Sequence, residues 1–374
     1  MNSYQITTEM TRKLKDIYAR SQHYWTAISS FPEEKKNYIL KHSMISNIGA
    51  STRIENAILT DLEIDWINTE ISSVEDSTYK DKEVVIKNKL SKDKERSIEE
   101  VVGYREALQI VNSSPQSFIP LRESDIKGLH RELMKYYPRA DHHLGNYKTQ
   151  INSVVEINHK TGTKRSLLKT ADPGIETETS MSDLILWFKE TLPEDPWCLP
   201  TAVEFIFRFL AIHPFQDGNG RLSRLLFQMI LMNSESEYFS GVIPYIALDR
   251  ALEKTRPEYY LVLRKCFGGE FNVDPKKYCY GYLLEYMIKK VAESFCNVDF
   301  YSKKYDKLQL LSVNDLKIFH CFKDMPEKYL QTKDIIETLN IPRRTIIYSL
   351  NKLVDGGFIQ TFGRGPGVKY KITF

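Results

Sequence analysis

Residues 213–224 read HPFQDGNGRLSR, a stretch that brings a histidine, a carboxylate, a glycine turn and two arginines together. The glycines of Asp217-Gly218-Asn219-Gly220 permit a tight turn whose amides point inward, and the apolar spacing after Gly220 starts a helix. A glycine turn feeding a helix N-terminus is a phosphate cradle. Arg221 and Arg224 are three apart and share a face of the first turn. Cations there oppose the helix dipole at a cost of about 0.3–1 kcal/mol each, so an anion such as a polyphosphate is expected between them. Asp217 is placed to hold Mg²⁺ against phosphate oxygens. His213 ends an apolar run and is followed by the helix-breaking Pro214; it titrates near neutral pH and suits a general base acting on a hydroxyl. Each residue alone has a plainer reading: a helix-end or core histidine, an ordinary turn, two solvated arginines. Their joint occurrence points to function.

The elements that must position this stretch are mainly α-helical, because helical spacing is frequent and strand alternation scarce. TAVEFIFRFLAI, just before His213, is apolar on nearly every side and reads as a central buried helix, with LLFQMILMN as a second. Further helices are expected at 101–111 and at 122–137, where Leu129 and Leu133 share a face and Ser124 or Asp125 could cap. NSVVEINHKTGTKRSLL suggests a hairpin around Lys160-Thr161-Gly162. A first helical block runs to about Asn68, and 79–100 mixes charges as a solvated loop or exposed helix face does, with no chemistry assigned. A charged stretch at 301–307 marks a boundary. Beyond it, three helical segments (313–322, 332–339, 342–354) precede two β-rich runs around a Gly-Arg-Gly-Pro-Gly turn, a pattern that resembles a winged helix-turn-helix. The expected division is 1–100, 101–300 and 308–374.

The 374 residues are enough for two or three domains, and 42% apolar with 27% charged residues is ordinary globular composition. A formal charge of +3 makes no global case for nucleic-acid or membrane binding, so any such patch is local. Cys198, Cys266, Cys279, Cys296 and Cys321 lack metal-ligand spacing and read as buried free thiols in a reducing compartment. No window approaches a membrane span, and the charged N-terminus is unlike a signal peptide; a cytoplasmic protein is expected.

At every defined position HPFQDGNGRLSR matches HPFx[D/E]GNGRxxR, the signature of the Fic family of protein AMP-transferases, and the surrounding 101–290 resembles the Fic core. The resemblance implies a Fic-fold helical bundle with a β-hairpin flap, ATP and Mg²⁺ as co-substrates, and transfer of AMP to a Ser, Thr or Tyr hydroxyl of a protein, including the enzyme itself. By position it implies His213 as base, Phe215 as an inward packing residue and Asp217 as metal ligand. Gly218, Asn219 and Gly220 would form the anion hole, with Arg221 and Arg224 as polyphosphate clamps. Tyr259, beside Tyr260, would contact base or ribose, and the hairpin near 154–168 would align the target by main-chain pairing. The hairpin departs from the Pro-rich flap common in relatives, and Phe267 stands where some carry a polar residue. Homodimers are common in the family.

Upstream, Ser51 to Asn56 (STRIEN) resembles the family's inhibitory-helix motif [S/T]xxxE[G/N], which implies that Glu55 pairs with Arg224 and occupies the γ-phosphate position. The competing reading is a capping box at Thr52 to Glu55, with Glu55 reaching back to its own helix start. In the C-terminal segment Arg343, Arg344, Lys352, Arg364, Lys369 and Lys371 face one acid, Asp355; Arg343 and Arg344 open a recognition helix and Arg364 tips a wing, an arrangement that suits DNA or a protein partner. The leading expectation is an autoinhibited adenylyltransferase. A DNA-binding regulator with a vestigial Fic module, another nucleotide such as UTP, and removal of AMP are the alternatives.

Overall fold

The computed structural model describes residues 5–74, 76–138, 143–157 and 164–374. It is mainly helical, as the spacing predicts, and divides into two compact units: Met1–Ala57 with Arg96–Val298, and Ile58–Glu95 with Asp299–Phe374. The 1–100 stretch, read above as one N-terminal region, is shared between the two.

The first unit is built on Leu199–Ile212, buried along its length except at Arg208. A helix that is apolar on all sides must be surrounded, and each of Phe205, Phe207 and Phe209 gains roughly 1.5–3 kcal/mol by full burial. Its neighbours are Asn219–Leu231, Ile175–Thr191 and Gly281–Ser294, while Glu33–Ile54 and Glu123–Met134 pack on Asn219–Leu231. Asp125 serves as the third residue of Glu123–Met134, accepting from the Arg122 amide at 2.9 Å.

Ser153–Ile157 and Lys164–Lys169 pair antiparallel, Ser153 opposite Lys169, with a bulge at Val154/Val155; the Lys160-Thr161-Gly162 turn lies outside the described residues. The base of this hairpin is tied to the segment after Arg256–Phe267, through Lys169 N to Gly269 O at 3.3 Å and Phe271 N to Lys169 O at 2.8 Å.

The first helical block proves to be three helices, Thr8–Ser30, Glu33–Ile54 and Asp61–Ile71. Ser51, Thr52, Arg53 and Ile54 form the last turn of Glu33–Ile54, with Glu55 as its C-cap. The capping-box reading is therefore overturned: a capping box opens a helix, whereas Thr52 Oγ1 points backward to Ile48 O at 2.8 Å. The actual box opens Asp61–Ile71, where the Thr60 amide donates to Glu63 and Thr60 Oγ1 accepts from the Glu63 amide.

In the second unit, Tyr79–Lys89 is an exposed helix, consistent with its mixed charge. Val313–Lys323, Leu330–Gln331, Thr332–Thr338, Arg343–Asp355, Ile359–Phe362 and Lys369–Ile372 follow in the order helix, strand, helix, helix, strand, strand. Lys369–Ile372 is the central strand of that three-stranded sheet, and Ile318, Phe322, Ile346, Leu350, Leu353 and Phe358 fill the core beneath it. Arg343 and Arg344 open their helix, and Arg364 lies between the last two strands. Lys94 joins Glu63 and Glu327, both at 2.6 Å.

Cys198, Cys266 and Cys321 are buried free thiols as expected; Cys279 and Cys296 are free but exposed, Cys279 lying in the turn before Gly281–Ser294 and Cys296 at the first residue of Cys296–Gln309, outside the apolar helix interiors. Among the described residues no helix is long and apolar enough to cross a membrane.

Candidate active site

His213 caps Leu199–Ile212 in the left-handed conformation (φ 53°, ψ 58°), which turns the chain away from the helix. Its Nδ1 lies 3.4 Å from Leu210 O; a carbonyl only accepts, so Nδ1 carries the hydrogen and Nε2 keeps its lone pair. Burial, with the Lys148 charge beside it, pushes the imidazole pKa down to about 4, so the ring is neutral at neutral pH.

The loop after His213 is held from within and from below. Asn219 accepts from Phe215 N at 2.9 Å and donates to Phe215 O at 2.7 Å, so its side chain staples the loop and only its amide faces the cradle. Phe215 is fully buried and stacks on His130, ring centroids 3.9 Å apart and planes 6° from parallel. His130 accepts from the Gly145 amide at Nδ1 (3.1 Å), so Nε2 donates to Asp217 O (3.0 Å). Burial pushes its pKa down to about 4 as well, and it works as a neutral prop.

Asn219–Leu231 opens on Gly218 at φ 80° with no acid in its first turn. The amides of 219–221 have no acceptor inside the helix. A Cβ on Gly220 would come within 2.3 Å of Glu55 Oε1, so the absence of a side chain there is what lets the Glu55 carboxylate lie on the helix start. Arg224, buried, donates from Nη2 to that same Oε1 at 2.9 Å and to Ser51 O at 2.8 Å, and from Nε to Ser51 Oγ at 2.7 Å. Ser51, Glu55 and Arg224 are thus brought together. Burial opposes the charge on Arg224, and Glu55 outweighs it, holding the guanidinium above the usual arginine range.

Arg221 is also buried, with Nη2 3.5 Å from Asp217 Oδ1 and Nη1 3.8 Å from Glu100 Oε2. Its Nε and Nη1 have no hydrogen-bond partner among the described residues. Unmet buried donors cost about 1–3 kcal/mol each, a penalty that a bound anion would relieve. Asp217 is 52% exposed at the mouth of the cradle. One open carboxylate beside a phosphate cradle fits Mg²⁺, which typically takes one or two protein carboxylates and fills its shell with phosphate oxygens and water. Among the described residues no cluster of three or more His, Cys, Asp or Glu could hold a metal alone, so the ion's hold would depend on the phosphates.

These groups line a cleft of about 260 Å³, walled on the far side by Tyr259, Tyr260, Leu263 and Phe267. Tyr259 is buried, which pushes its hydroxyl up to about 12, and it lies in the field of the Arg224 charge. Phe267 completes an apolar wall. Asn56, in the left-handed region at φ 78°, accepts from Arg256 Nη2 at 2.8 Å and fixes the exit of the Glu55 turn.

Sequence reasoning missed several residues of the site. Glu100 belongs to the charged 79–100 stretch to which no chemistry is assigned, yet it is buried and faces Arg221. Asp249, buried in Leu248–Lys254, is held by Tyr104 Oη at 3.0 Å and lies in the field of Arg224. An acid at a buried register position among Leu248, Ala251 and Leu252 was the available signal. His130, Lys148 and Asn152 act from distant parts of the chain and carried no local signal.

Residues 120–231 match the model of the Fic/DOC family. Over 94 residues the chain is 32% identical to the protein adenylyltransferase fic-1 of Caenorhabditis briggsae and 33% identical to that of Caenorhabditis elegans, matches that take in 25% of this chain and 16% of each relative. The fold resembles a Fic family protein from Desulfovibrio desulfuricans G20 at 20% identity, with a TM-score of 0.54 over 100% of this chain and 98% of that one. It also resembles Fic-1 from C. elegans at 17% identity, with a TM-score of 0.53 over 78% and 73%. Residues 120–231 of this chain are a Fic/DOC family domain.

Proposed function

We propose that the protein is an adenylyltransferase that moves AMP from ATP to a hydroxyl of a protein, itself included, and that Glu55 restrains it. The reading rests first on the cradle: a helix start and two buried arginines converge opposite the free Nε2 of His213, and a carboxylate already lies on them. The curated relatives named as protein adenylyltransferases support it over a quarter of the chain.

In this mechanism His213 Nε2 takes the proton of the target hydroxyl. The oxygen forms a bond to the α-phosphorus, and the bond from that phosphorus to the bridging oxygen breaks, releasing pyrophosphate. The amides of 219–221 and the guanidinium groups of Arg221 and Arg224 neutralise the charge that grows on the phosphate oxygens. Mg²⁺ on Asp217 would add charge compensation to the phosphates. The neutral His213 is ready to accept a proton without first losing one. Glu55 competes for Arg224 with the terminal phosphate, so ATP binds unproductively until the Glu55 turn moves.

The test compares the parent, Glu55→Gly and Glu55→Gly/His213→Ala proteins with ATP, Mg²⁺ and lysate, read by mass spectrometry of modified peptides. The expected result is an AMP adduct that rises with Glu55→Gly and vanishes with His213→Ala. A folded Glu55→Gly protein that leaves no nucleotide adduct would sink the reading.

For the second unit we propose a winged helix-turn-helix that contacts duplex DNA. Arg343, Arg344, Arg364 and Lys369 are exposed and make no ion pair among the described residues, and Tyr348 is 70% exposed on the same helix as the first two. Binding of a labelled duplex that weakens with salt supports this; a duplex that fails to bind at low salt counts against it.

A further inference from the structure

The end of Leu199–Ile212 and the turn after it leave a run of carbonyls that no backbone amide of that helix reaches. The turn also holds a residue with a side chain, His213, in the left-handed region. One short segment, 148–152, supplies a donor to each of four consecutive carbonyls. Lys148 Nζ donates to Ile212 O at 2.9 Å and Lys148 N to Pro214 O at 2.8 Å. Asn152 Nδ2 donates to His213 O at 3.3 Å and to Phe215 O at 2.7 Å.

Lys148 itself is buried, at 2% exposure. Its ammonium has three N–H groups and three acceptors: Ile212 O, Asn152 Oδ1 at 2.9 Å and Thr170 Oγ1 at 3.0 Å. Asn152 immediately precedes the first strand of the hairpin and Thr170 immediately follows the second. Thr170 Oγ1 closes the knot by donating to Asn152 O at 2.8 Å. Both ends of the hairpin and the residue before the base therefore meet at one buried ammonium.

We infer that Lys148 is a positioning residue for His213, and that it sets the seating of the hairpin and the aim of the imidazole together. The inference rests on reading His213 as the base. A target segment paired along the hairpin is then registered to the base through Lys148 and Asn152, without touching either. The charged groups facing His213 are Lys148, Glu55 from the end of Glu33–Ile54, and Asp217 in its own loop. Lys148 is the cation among them, so its removal also changes how readily the imidazole takes a proton.

The test uses the full chain in a Glu55→Gly background, with histidine carbon-labelled for NMR titration and the His213 resonance assigned by His213→Ala. Lys148→Met removes charge and donors, Lys148→Arg keeps both, and Asn152→Leu removes only the amide's bonds. With Lys148→Met, the His213 pKa rises by about one unit as a neighbouring positive charge is lost. The kcat per folded molecule falls roughly 10–100-fold as the base loses its aim, while KM for ATP stays within about two-fold. Lys148→Arg restores the pKa and part of kcat. Asn152→Leu lowers kcat and moves the His213 resonance with a smaller pKa change.

A Lys148→Met protein whose His213 titration and kcat match the background, with only its melting temperature lowered, overturns the inference. If Lys148→Met does not fold, an unmoved His213 resonance and unchanged kcat in Asn152→Leu do the same. If the Glu55→Gly background transfers no nucleotide, the proposed function fails separately, and the NMR titration still decides whether Lys148 positions the imidazole.

Discussion

Arg221 and Arg224 in one unit and Arg343 and Arg344 in the other stand in the same local situation, paired cations in the opening turns of a helix that carries no acid in its first turn. Their surroundings differ. The first pair is buried and answered by Glu55, Ser51, Asp217 and Glu100, whereas the second is exposed and answered by nothing among the described residues. An unfavourable helix-dipole position is thus used twice. In one unit the protein fills its anion site with its own carboxylate, and in the other it leaves the cations to solvent or a partner. The contrast teaches that a sequence pattern marks where an anion is wanted, and only burial tells whether the chain already supplies it.

The sharpest way to break the comparison is mutation of the buried pair. Arg224→Ala leaves the Glu55 and buried Asp249 carboxylates without their cation, and loss of one partner of a buried pair typically costs about 3–5 kcal/mol. Denaturant unfolding of the first unit, followed by hydrogen exchange, should show a loss of that order. Glu55→Gln, which keeps a hydrogen-bonding group at a one-third exposed position, should cost much less. Equal losses for the two variants would mean that the Glu55 charge carries the whole contribution of Arg224 and that its bonds to Ser51 add nothing.

A second prediction separates the units by pH. His130, buried, and His213, partly buried, are both neutral, their pKa values lowered from 6.5 to about 4, so the unfolded chain binds protons first as pH falls. Stability of the first unit is intact above about pH 6.5 and declines between there and about 4. In the second unit Asp315 accepts from the Ser312 amide and from Lys352 Nζ, both at 2.8 Å. Burial works against its charge, yet these bonds outweigh it and hold its pKa down to about 2, from 3.8. Its contribution is present above pH 3.8 and lost as pH falls through about 2. Acid should therefore loosen the first unit before the second, as read by exchange-protected amides at about pH 5 and about pH 3. Loosening in the reverse order would contradict both assignments. Asp315→Asn should remove about 1–2 kcal/mol from the second unit at neutral pH.

What was legible in the sequence was local. HPFQDGNGRLSR marked the candidate site because a glycine turn, a helix start and two arginines three apart are defined by their own spacing. The central helix was legible because apolar residues on all sides leave it no exposed position. Glu55 was legible as an acid worth placing, but its role was ambiguous: the spacing of Thr52 and Glu55 suits a helix start, and only the structure shows that this turn ends Glu33–Ile54. Lys148, Asn152, His130 and Asp249 were not legible. Each acts across 61 to 87 positions or more, through a bond to backbone or to a buried cation, and such bonds leave no period in the sequence. Glu100 was hidden by its neighbours, since a buried acid inside a run of solvated charges looks like one more of them.

The smallest effect belongs to the exposed pair, and it sharpens the comparison from the other side. Arg343→Ala and Arg344→Ala remove cations that oppose the helix dipole without a compensating partner, so the isolated protein should be unchanged or stabilised by about 0.3–1 kcal/mol. The same double change should weaken duplex binding and reduce the slope of log K against log salt by about one for each phosphate that is no longer neutralised. Stability and binding thus move in opposite directions for this pair. For Arg224, stability and nucleotide binding should fall together, because there the cation has a partner in both the free and the loaded protein. If Arg343→Ala/Arg344→Ala lowered stability as well as binding, the exposed pair would be anchored within its own unit, and the distinction between a filled and an open anion site would fail.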